Sequence, residues 1–224
     1  MAVNRAESTA YENYQPNPNP YPRVAAVIPR ETVYNLALKR IFDLIFATIG
    51  LIIAAPIILI TMLIIRLESP GAAVFYQERL GLKGKSFNVI KLRSMRTDAE
   101  KNGAQWASKN DPRVTKVGAF IRKTRIDELP QLVNVIKGEM SIIGPRPERP
   151  QFTEDFDREI PGFKMRLAVR PGVTGWAQVN GGYDITPKEK LAYDLYYIKN
   201  MGLLLDLTTA FKTIKVIFTG EGAR

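Results

Sequence analysis

The chain has 224 residues, a formal net charge of +10, and neither Cys nor His. These absences exclude disulfides, thiol catalysis, histidine bases and the usual zinc sites, so any reactive group must be a carboxylate, Lys, Tyr or hydroxyl. The charge is concentrated, because the segment from Lys83 to Arg149 holds 15 basic residues against 7 acidic ones. Such a positive field suits a polyanion or an acidic membrane surface.

Composition divides the chain into a tail and one domain. Residues 1–38 include the Pro/Asn-rich run YENYQPNPNPYP, which cannot bury a core and predicts an extended tail. Residues 39–224 are expected to fold as a single membrane-associated domain, which its length allows.

An apolar stretch opens that domain. Leu44 to Ile65 is a run of 22 residues without a charge, long enough as a helix to cross a hydrocarbon core of about 30 Å. Pro56 removes a backbone hydrogen bond in its middle, and basic residues flank both ends. A helix–break–helix over 41–66 that enters one leaflet and returns satisfies both observations. A kinked spanning anchor fits the residues about equally well, and a buried core helix is the third alternative.

Strand-like residues on both sides of Gly81 and Gly84 predict a β-hairpin. Along its second strand, Lys91 and Arg93 would point to one face, which is the geometry of an anion clamp. An exposed basic strand edge is the simpler alternative.

Two adjacent carboxylates, Asp127 and Glu128, lie in the basic stretch RKTRIDELPQLVNVIKGEMSIIGPRP. Apolar residues at helical spacing follow them, and Gly138 ends the pattern. Because Pro130 is tolerated only in a first turn, we expect the helix to begin near Asp127, with both carboxylates kept ionised by its dipole. A lone Asp–Glu pair would more often be a simple helix cap. In a chain without His or Cys, however, a carboxylate nucleophile that attacks phosphorus is one of few options.

Basic residues accompany the pair on both sides. Arg122 is expected near the end of a short helix, and Arg146 lies between Pro145 and Pro147 in a stiff loop suited to aiming a guanidinium. Phosphoryl transfer requires mainly positioning and charge neutralisation, which such residues and a divalent metal supply.

The last third holds a further candidate site and two helices. VRPGVTGWAQVNGG has no clear period and predicts a loop that binds a flat polar group, such as a nucleotide or sugar. Its candidate contact residues are Arg170, Trp176, Gln178 and Asn180. Thr186 and Glu189 form a capping box at the start of a helix. Leu203 to Phe218 has an apolar face, as in an interfacial helix or, equally, a core helix.

Four segments together resemble a known family: KRIFDLIFATIGLIIAAPIILITMLIIRLESPGAAVFYQERLG, FNVIKLRSM, DPRVTKVGAFIRKTRIDELPQLVNVIKGEMSIIGPRP and VRPGVTGWAQVNG. They look like the bacterial sugar transferases, the monotopic polyprenyl-phosphate sugar-1-phosphate transferases or phosphoglycosyl transferases. The resemblance covers Lys39 to about Phe218, and the chain is similar to the short form of the family.

The resemblance implies a mainly α protein with a small β-hairpin, an α+β fold. It would be a monotopic membrane protein with an N-terminal re-entrant helix broken at Pro56 and with interfacial amphipathic helices. The expected location is the bacterial inner (cytoplasmic) membrane, with the active site facing the cytoplasm. The implied reaction passes a sugar 1-phosphate from a UDP-sugar to a polyprenyl phosphate such as undecaprenyl phosphate, releasing UMP, as the first membrane step of glycan or exopolysaccharide assembly.

By the same resemblance, Asp127 would be the nucleophile of a covalent intermediate and Glu128 its partner, both near Mg²⁺. Lys91, Arg122 and Arg146 match positions around the phosphates and join Arg93 as expected phosphate contacts. Two departures stand out: Ala55 precedes Pro56 where the family often has Ser, and Gly182 lies where it often has Arg. The Gly182 departure affects the expected nucleotide or sugar contacts.

Composition alone leaves a different class of function open, a membrane-anchored basic module that binds anionic lipid or a polyanion without catalysis. No helix-turn-helix, aromatic RNA platform or zinc motif supports nucleic acid as the partner. A second copy of the chain and downstream glycosyltransferases are further candidate partners.

Overall fold

The computed structural model describes residues 32–219 except 102, 104, 106–110 and 182–184. Most of the predicted tail and the departure at Gly182 therefore lie outside the described residues. The elements in chain order are α1 (Thr32–Glu68), β1 (Val74–Leu80), β2 (Ser86–Leu92), α2 (Lys116–Lys123), α3 (Gln131–Lys137), β3 (Ser141–Ile143), α4 (Pro150–Glu159), β4 (Gly172–Thr174), α5 (Trp176–Gly181), α6 (Pro187–Asn200) and α7 (Leu203–Thr219). The fold is mainly helical with small sheets, as predicted.

Helix α1 is long and apolar enough, by length and composition, to cross a membrane. It remains helical through Pro56, so the predicted interruption is not present in its secondary structure. A proline removes one hydrogen bond, and the long helical segments on either side retain theirs. Asp43, Ala47, Ala54 and Thr61 are buried and lie four or seven residues apart, whereas the Ile and Leu side chains around them are exposed. One face of the helix thus packs against the domain, and its other faces expose apolar side chains.

The hairpin is confirmed. Strands β1 and β2 pair antiparallel, with Phe75 opposite Lys91, and a 3₁₀ turn over Leu82–Gly84 joins them. Behind it, Ala47 of α1, Val89 of β2 and Val135 of α3 share one buried cluster, which fixes β2 between the two helices.

A second, two-stranded sheet joins parts of the chain that are far apart in sequence. Strands β3 and β4 pair parallel, Ser141 with Gly172 and Ile143 with Thr174. The backbones approach so closely that a Cβ atom on Gly172 would lie 2.1 Å from the amide nitrogen of Gly144. This pairing sets the start of the loop that carries Arg146.

The C-terminal helices match the predicted signals in part. Thr186 and Glu189 form the predicted capping box at the start of α6. The segment predicted as a binding loop is instead strand β4 followed by helix α5, because its close backbone pairing with β3 imposes regular structure that no side-chain period indicates. Helix α7 leaves Leu204 and Phe211 exposed, so its apolar face is only partly used by the core.

Candidate active site

The two adjacent carboxylates lie in a 3₁₀ turn, Ile126–Glu128, that precedes α3. Arg125 enters this turn in the left-handed region, with φ 59°. A helix was expected to begin near Asp127. A 3₁₀ turn does begin there, at Ile126, and the α-helix α3 begins after Pro130, at Gln131. A tight 3₁₀ turn before a helix is common and leaves no separate signal in the residue pattern.

Glu128 is bound by two cations. The Lys91 Nζ lies 3.1 Å from its Oε1, and Arg146 donates from Nη1 to Oε2 at 3.1 Å and from Nη2 to Oε1. Burial alone would raise the pKa of Glu128, but the charges of Arg146 and Lys91 outweigh it and hold that pKa well below its usual range. Glu128 is therefore an anion at every physiological pH.

Asp127 is different, although it is the adjacent residue. It is 8% exposed, and its carboxylate accepts no hydrogen bond from the described part of the chain. Burial and, next, the charge of Glu128 raise the pKa of Asp127 to about 6, against the opposing effects of Lys91, Arg146 and Arg122. Burial thus raises the pKa of Asp127, whereas a helix dipole alone was expected to lower it. The group is still mostly ionised at neutral pH, and it is poorly solvated.

Two of the predicted cations surround this pair from separate elements. Lys91 on β2 is buried, which lowers its pKa, while Glu128 opposes that shift. Arg122 comes from the last turn of α2 and is close enough to stabilise the Asp127 carboxylate. With Arg146, they form a positive environment around one paired and one unpaired acid.

The model of the family described as bacterial sugar transferase matches residues 34–220 of the chain. The chain belongs to this family. It is 50% identical over 190 residues to the UDP-N-acetylgalactosamine-undecaprenyl-phosphate N-acetylgalactosaminephosphotransferase of Aeromonas hydrophila, a match that covers 84% of this chain and 45% of that protein.

Two further relatives carry related names. A protein of Bacillus subtilis (strain 168), named for undecaprenyl-phosphate N-acetylgalactosaminyl 1-phosphate transfer, is 61% identical over 140 residues, covering 62% of this chain and 78% of that protein. The UDP-glucose:undecaprenyl-phosphate glucose-1-phosphate transferase of Escherichia coli (strain K12) is 40% identical over 194 residues, covering 84% and 42%. The chain thus spans less than half the length of the Aeromonas and Escherichia relatives.

In this member of the sugar transferase family, Arg93 does not join Lys91. Its guanidinium donates to the carbonyl oxygens of Pro70 at 2.6 Å and Ser69 at 2.8 Å, directly after α1. Carbonyls beyond a helix end need donors, and Arg93 supplies them. The predicted clamp of Lys91 and Arg93 is therefore not formed.

The four residues of the predicted nucleotide loop make their contacts elsewhere. Arg170 donates from Nε to the Gly138 carbonyl at 3.0 Å, at the far end of α3 from the dyad of Asp127 and Glu128. The Trp176 ring lies 5.7 Å from that of Tyr196 and 4.6 Å from the Lys212 Nζ. Asn180 donates to the Trp176 carbonyl at 2.8 Å, and Gln178 to that of Val173 at 3.4 Å. None of these contacts among described residues reaches the dyad.

A buried ionic network lies behind the Arg146 loop and was missed by sequence reasoning. Its members are Arg79, Glu148, Arg166, Lys190 and Asp194. Arg166 donates from Nε and Nη2 to the Asp194 Oδ2 at 2.9 and 2.6 Å, and Glu148 pairs with Lys190. Burial would raise the pKa of Glu148, yet Lys190, Arg166 and Arg79 lower it to about 2. These residues come from distant parts of the sequence, so no local pattern indicates them.

The described part of the chain contains no group of three or more acidic side chains placed to hold a metal ion. Mg²⁺ is typically bound by one or two carboxylates together with substrate phosphates. Asp127 accepts no hydrogen bond among the described residues and could supply one such carboxylate oxygen. Both oxygens of Glu128 are bonded to Lys91 and Arg146, so a metal ion there would share them with these cations.

Proposed function

We propose that the protein transfers a sugar 1-phosphate from a UDP-sugar to undecaprenyl phosphate, releasing UMP, through a covalent intermediate on Asp127. The names of the Aeromonas, Bacillus and Escherichia relatives support the reaction class. UDP-N-acetylgalactosamine is the first substrate to test, because the relatives of 50% and 61% identity are named for that sugar.

The observation that carries the proposal is the contrast within the dyad. Glu128 is neutralised by Lys91 and Arg146, whereas Asp127 is buried, unpaired among the described residues and raised in pKa to about 6. A poorly solvated carboxylate with a raised pKa is a better nucleophile than an ordinary one, and it needs no separate base. That fits a chain without His.

The charge balance also suits the substrate. The pair of Asp127 and Glu128, the cations around it and the ionic network behind the Arg146 loop together contain six cations and four carboxylates. The cations are Arg79, Lys91, Arg122, Arg146, Arg166 and Lys190, and the carboxylates are Asp127, Glu128, Glu148 and Asp194. Two positive charges are left over. The diphosphate of a UDP-sugar carries two negative charges, so the site can hold it by charge-assisted hydrogen bonds.

In the first step, an oxygen of Asp127 attacks the phosphorus that bears the sugar, and the bond from that phosphorus to the bridging oxygen breaks. The electron pair leaves with UMP, and an acyl phosphate forms on Asp127. In the second step, an oxygen of the polyprenyl phosphate attacks the same phosphorus and the carboxylate is released. Arg146, Lys91 and Arg122 would hold the charged oxygens in line during both steps. Mg²⁺ held by the dyad and the phosphates would neutralise further charge.

Partial reactions test the covalent route. Purified protein is incubated with UDP-sugar labelled in its β-phosphate and no lipid acceptor. We expect label on the protein and, in a separate reaction of unlabelled UDP-sugar with added uridine-labelled UMP, exchange of that UMP into UDP-sugar. Both should be abolished by Asp127→Asn, whose amide is a poor nucleophile. Label that appears on the wild-type protein but not on Asp127→Asn supports the mechanism. UMP release and exchange that depend strictly on lipid, with no labelled protein, would instead favour direct attack by the lipid phosphate.

We further propose that the chain lies on the cytoplasmic face of the inner membrane, with both ends of α1 on that side. Arg40, near one end, donates to the carbonyls of Val135 and Ile136 at 2.7 and 2.9 Å. At the other end, Glu68 accepts from the Val117 amide at 3.0 Å. A helix that crossed the bilayer would carry one of these ends to the opposite side, away from α2 and α3. The continuous exposed apolar surface of α1 supports insertion from one side.

Single cysteines test this topology, because the chain contains none of its own. Asn35→Cys and Lys85→Cys are expected to resist an impermeant thiol reagent in intact cells and to react after lysis. Labelling of Asn35→Cys but not Lys85→Cys in intact cells would mean that α1 spans the membrane. Full recovery of the protein in a detergent-free extract would argue against membrane association altogether.

A further inference from the structure

The loop that presents Arg146 is held by groups outside the loop. Arg166 donates from Nη2 to the carbonyl of Arg146 at 2.8 Å, and Arg79 donates from Nη1 to that of Pro147 at 3.1 Å. The amide of Leu80 donates to the carbonyl of Glu148 at 3.0 Å. Three consecutive carbonyls are thus fixed, which orients the backbone from which the Arg146 side chain reaches Glu128.

Arg166 is itself fixed more firmly than the residue it holds. It is 3% exposed, and its partner Asp194 on α6 is 1% exposed. Two hydrogen bonds join its guanidinium to one carboxylate oxygen, and its Cζ lies 5.0 Å from the centre of the Phe163 ring. A planar guanidinium held on two edges and one face cannot rotate without losing several contacts.

Stability alone does not explain such a network. Removing two charges from water costs about as much free energy as their attraction returns, and apolar replacements of similar volume are often neutral or stabilising. What an ionic network provides that an apolar cluster does not is direction, because each hydrogen bond fixes an angle as well as a distance.

We propose that Arg166, held by Asp194, is a positioning residue that aims Arg146 at the dyad and at the substrate phosphate. This inference rests on the proposed function for its catalytic consequence, and on the described contacts for its effect on the loop. It predicts that Arg166 contributes to turnover only through Arg146.

A double-mutant cycle tests that dependence. Because Arg166→Met alone would leave Asp194 buried without its partner, it is combined with Asp194→Asn. In the wild-type background this pair is expected to lower kcat/KM by about tenfold or more, with most of the loss in kcat, and Arg166→Lys should restore part of it. In an Arg146→Ala background, the same pair should change kcat/KM less than about twofold. Equal losses in both backgrounds would overturn the proposal.

Lys39→Met provides the matched control. It breaks an ion pair of 2.7 Å with Asp206, and the two side chains are 15% and 17% exposed. Among the described residues, neither side chain hydrogen-bonds to the Arg146 loop. Any loss that it causes should be the same with and without Arg146→Ala. Coupling of Lys39 to Arg146 as strong as that of Arg166 would show a general loss of structure, and the positioning role would be withdrawn.

Hydrogen exchange separates this inference from the proposed function, because it needs no substrate. In the Arg166→Met/Asp194→Asn protein, the Leu80 amide, which donates to the Glu148 carbonyl of the loop at 3.0 Å, should exchange faster. The Gly144 amide, bonded to the Thr174 carbonyl at 2.9 Å, should stay protected as an internal reference. If no UDP-sugar is turned over by the wild-type chain, the proposed reaction fails and the exchange result alone decides the positioning. Unchanged exchange at the Leu80 amide would reject it.

Discussion

The dyad and the buried network behind it contain the same kinds of side chain, but they differ in whether each acid has a cationic partner. In the network, both acids are paired: Glu148 with Lys190 and Arg79, and Asp194 with Arg166. In the dyad, Glu128 is bonded to Lys91 and Arg146, whereas Asp127 has no hydrogen-bonding partner among the described residues. The difference matches the proposed roles, because a buried acid without a partner costs stability that only a chemical role would repay, whereas paired acids can serve as structural supports.

The largest effect should come from removing the unpaired acid. Asp127→Asn is expected to lower kcat by on the order of 10⁴-fold or more, as for loss of a nucleophile. The same substitution should raise the melting temperature at neutral pH, because the amide carries no buried charge. UMP release and thermal unfolding, measured on one preparation in detergent, check both parts. Glu128→Gln is the control and should lower the melting temperature, since it leaves Lys91 and Arg146 without their counter-charge.

Breaking the paired region should instead cost stability. Asp194→Ala leaves Arg166 buried without its carboxylate, and we expect a loss of about 3–5 kcal/mol in the free energy of unfolding. Asp98→Ala offers a matched control, because its ion pair with Arg96 is 3.6 Å long with side chains 61% and 60% exposed. An exposed pair of this kind contributes about 0–1 kcal/mol. Equal losses for the two variants would show that the network is not a structural support.

Arg146 lies between the two regions, and its substitution should affect turnover more than folding. Arg146→Ala is expected to cost roughly 1.5–3 kcal/mol of transition-state binding, as for one charge-assisted contact. Arg146→Lys should recover only part of it, because Lys lacks the planar fork. Steady-state kinetics and melting curves separate the effects. Wild-type kinetics in Arg146→Ala would remove this residue from the site.

Acid should affect the two regions in opposite ways. The pKa of Asp127 rises from 3.8 to about 6 on folding, so its folded-state cost is fully present above pH 6 and disappears as the pH falls towards 3.8. The stability advantage of Asp127→Asn over the wild type should close over the same window, while kcat/KM declines below about pH 6. Glu148, with its pKa lowered to about 2, starts to lose its stabilising contribution only below its ordinary value of 4.5. A constant difference from pH 7 to 4 would mean that Asp127 is not raised.

The residues that sequence reasoning placed correctly are those marked by local pattern or by resemblance. Gly138 ends α3 with φ 84°, Thr186 and Glu189 cap α6, and Lys91 and Arg146 meet at Glu128. Arg93 was misplaced, because strand alternation gives the face of a side chain but not the carbonyls that compete for it. The pKa of Asp127 was misjudged for a similar reason, since its largest cause, burial, depends on elements distant in sequence.

Helix α1 is a second case in which contacts between distant parts of the chain could not be predicted from the sequence. Its apolar content and Pro56 were plain in the sequence, but its packing against α2 through Ile65 and Ile121 and against α3 through Ala47 and Val135 was not. The network of Arg79, Glu148, Arg166, Lys190 and Asp194 could not be predicted, because every pairing in it joins residues at least 18 positions apart along the chain.

The parallel pairing of β3 with β4 has a consequence for events on the ribosome. Lys91, Asp127 and Glu128 are made early, but the Arg146 loop is completed only when Arg166, Gly172 and finally Asp194 have been added. At synthesis rates of about 5–20 residues per second, roughly 6 to 25 s pass between the end of α1 and that point. The apolar helix is therefore available to reach the bilayer while the nascent chain still lacks a finished site. The positive surroundings of Asp127 are thus completed only after the apolar helix has become available to the bilayer.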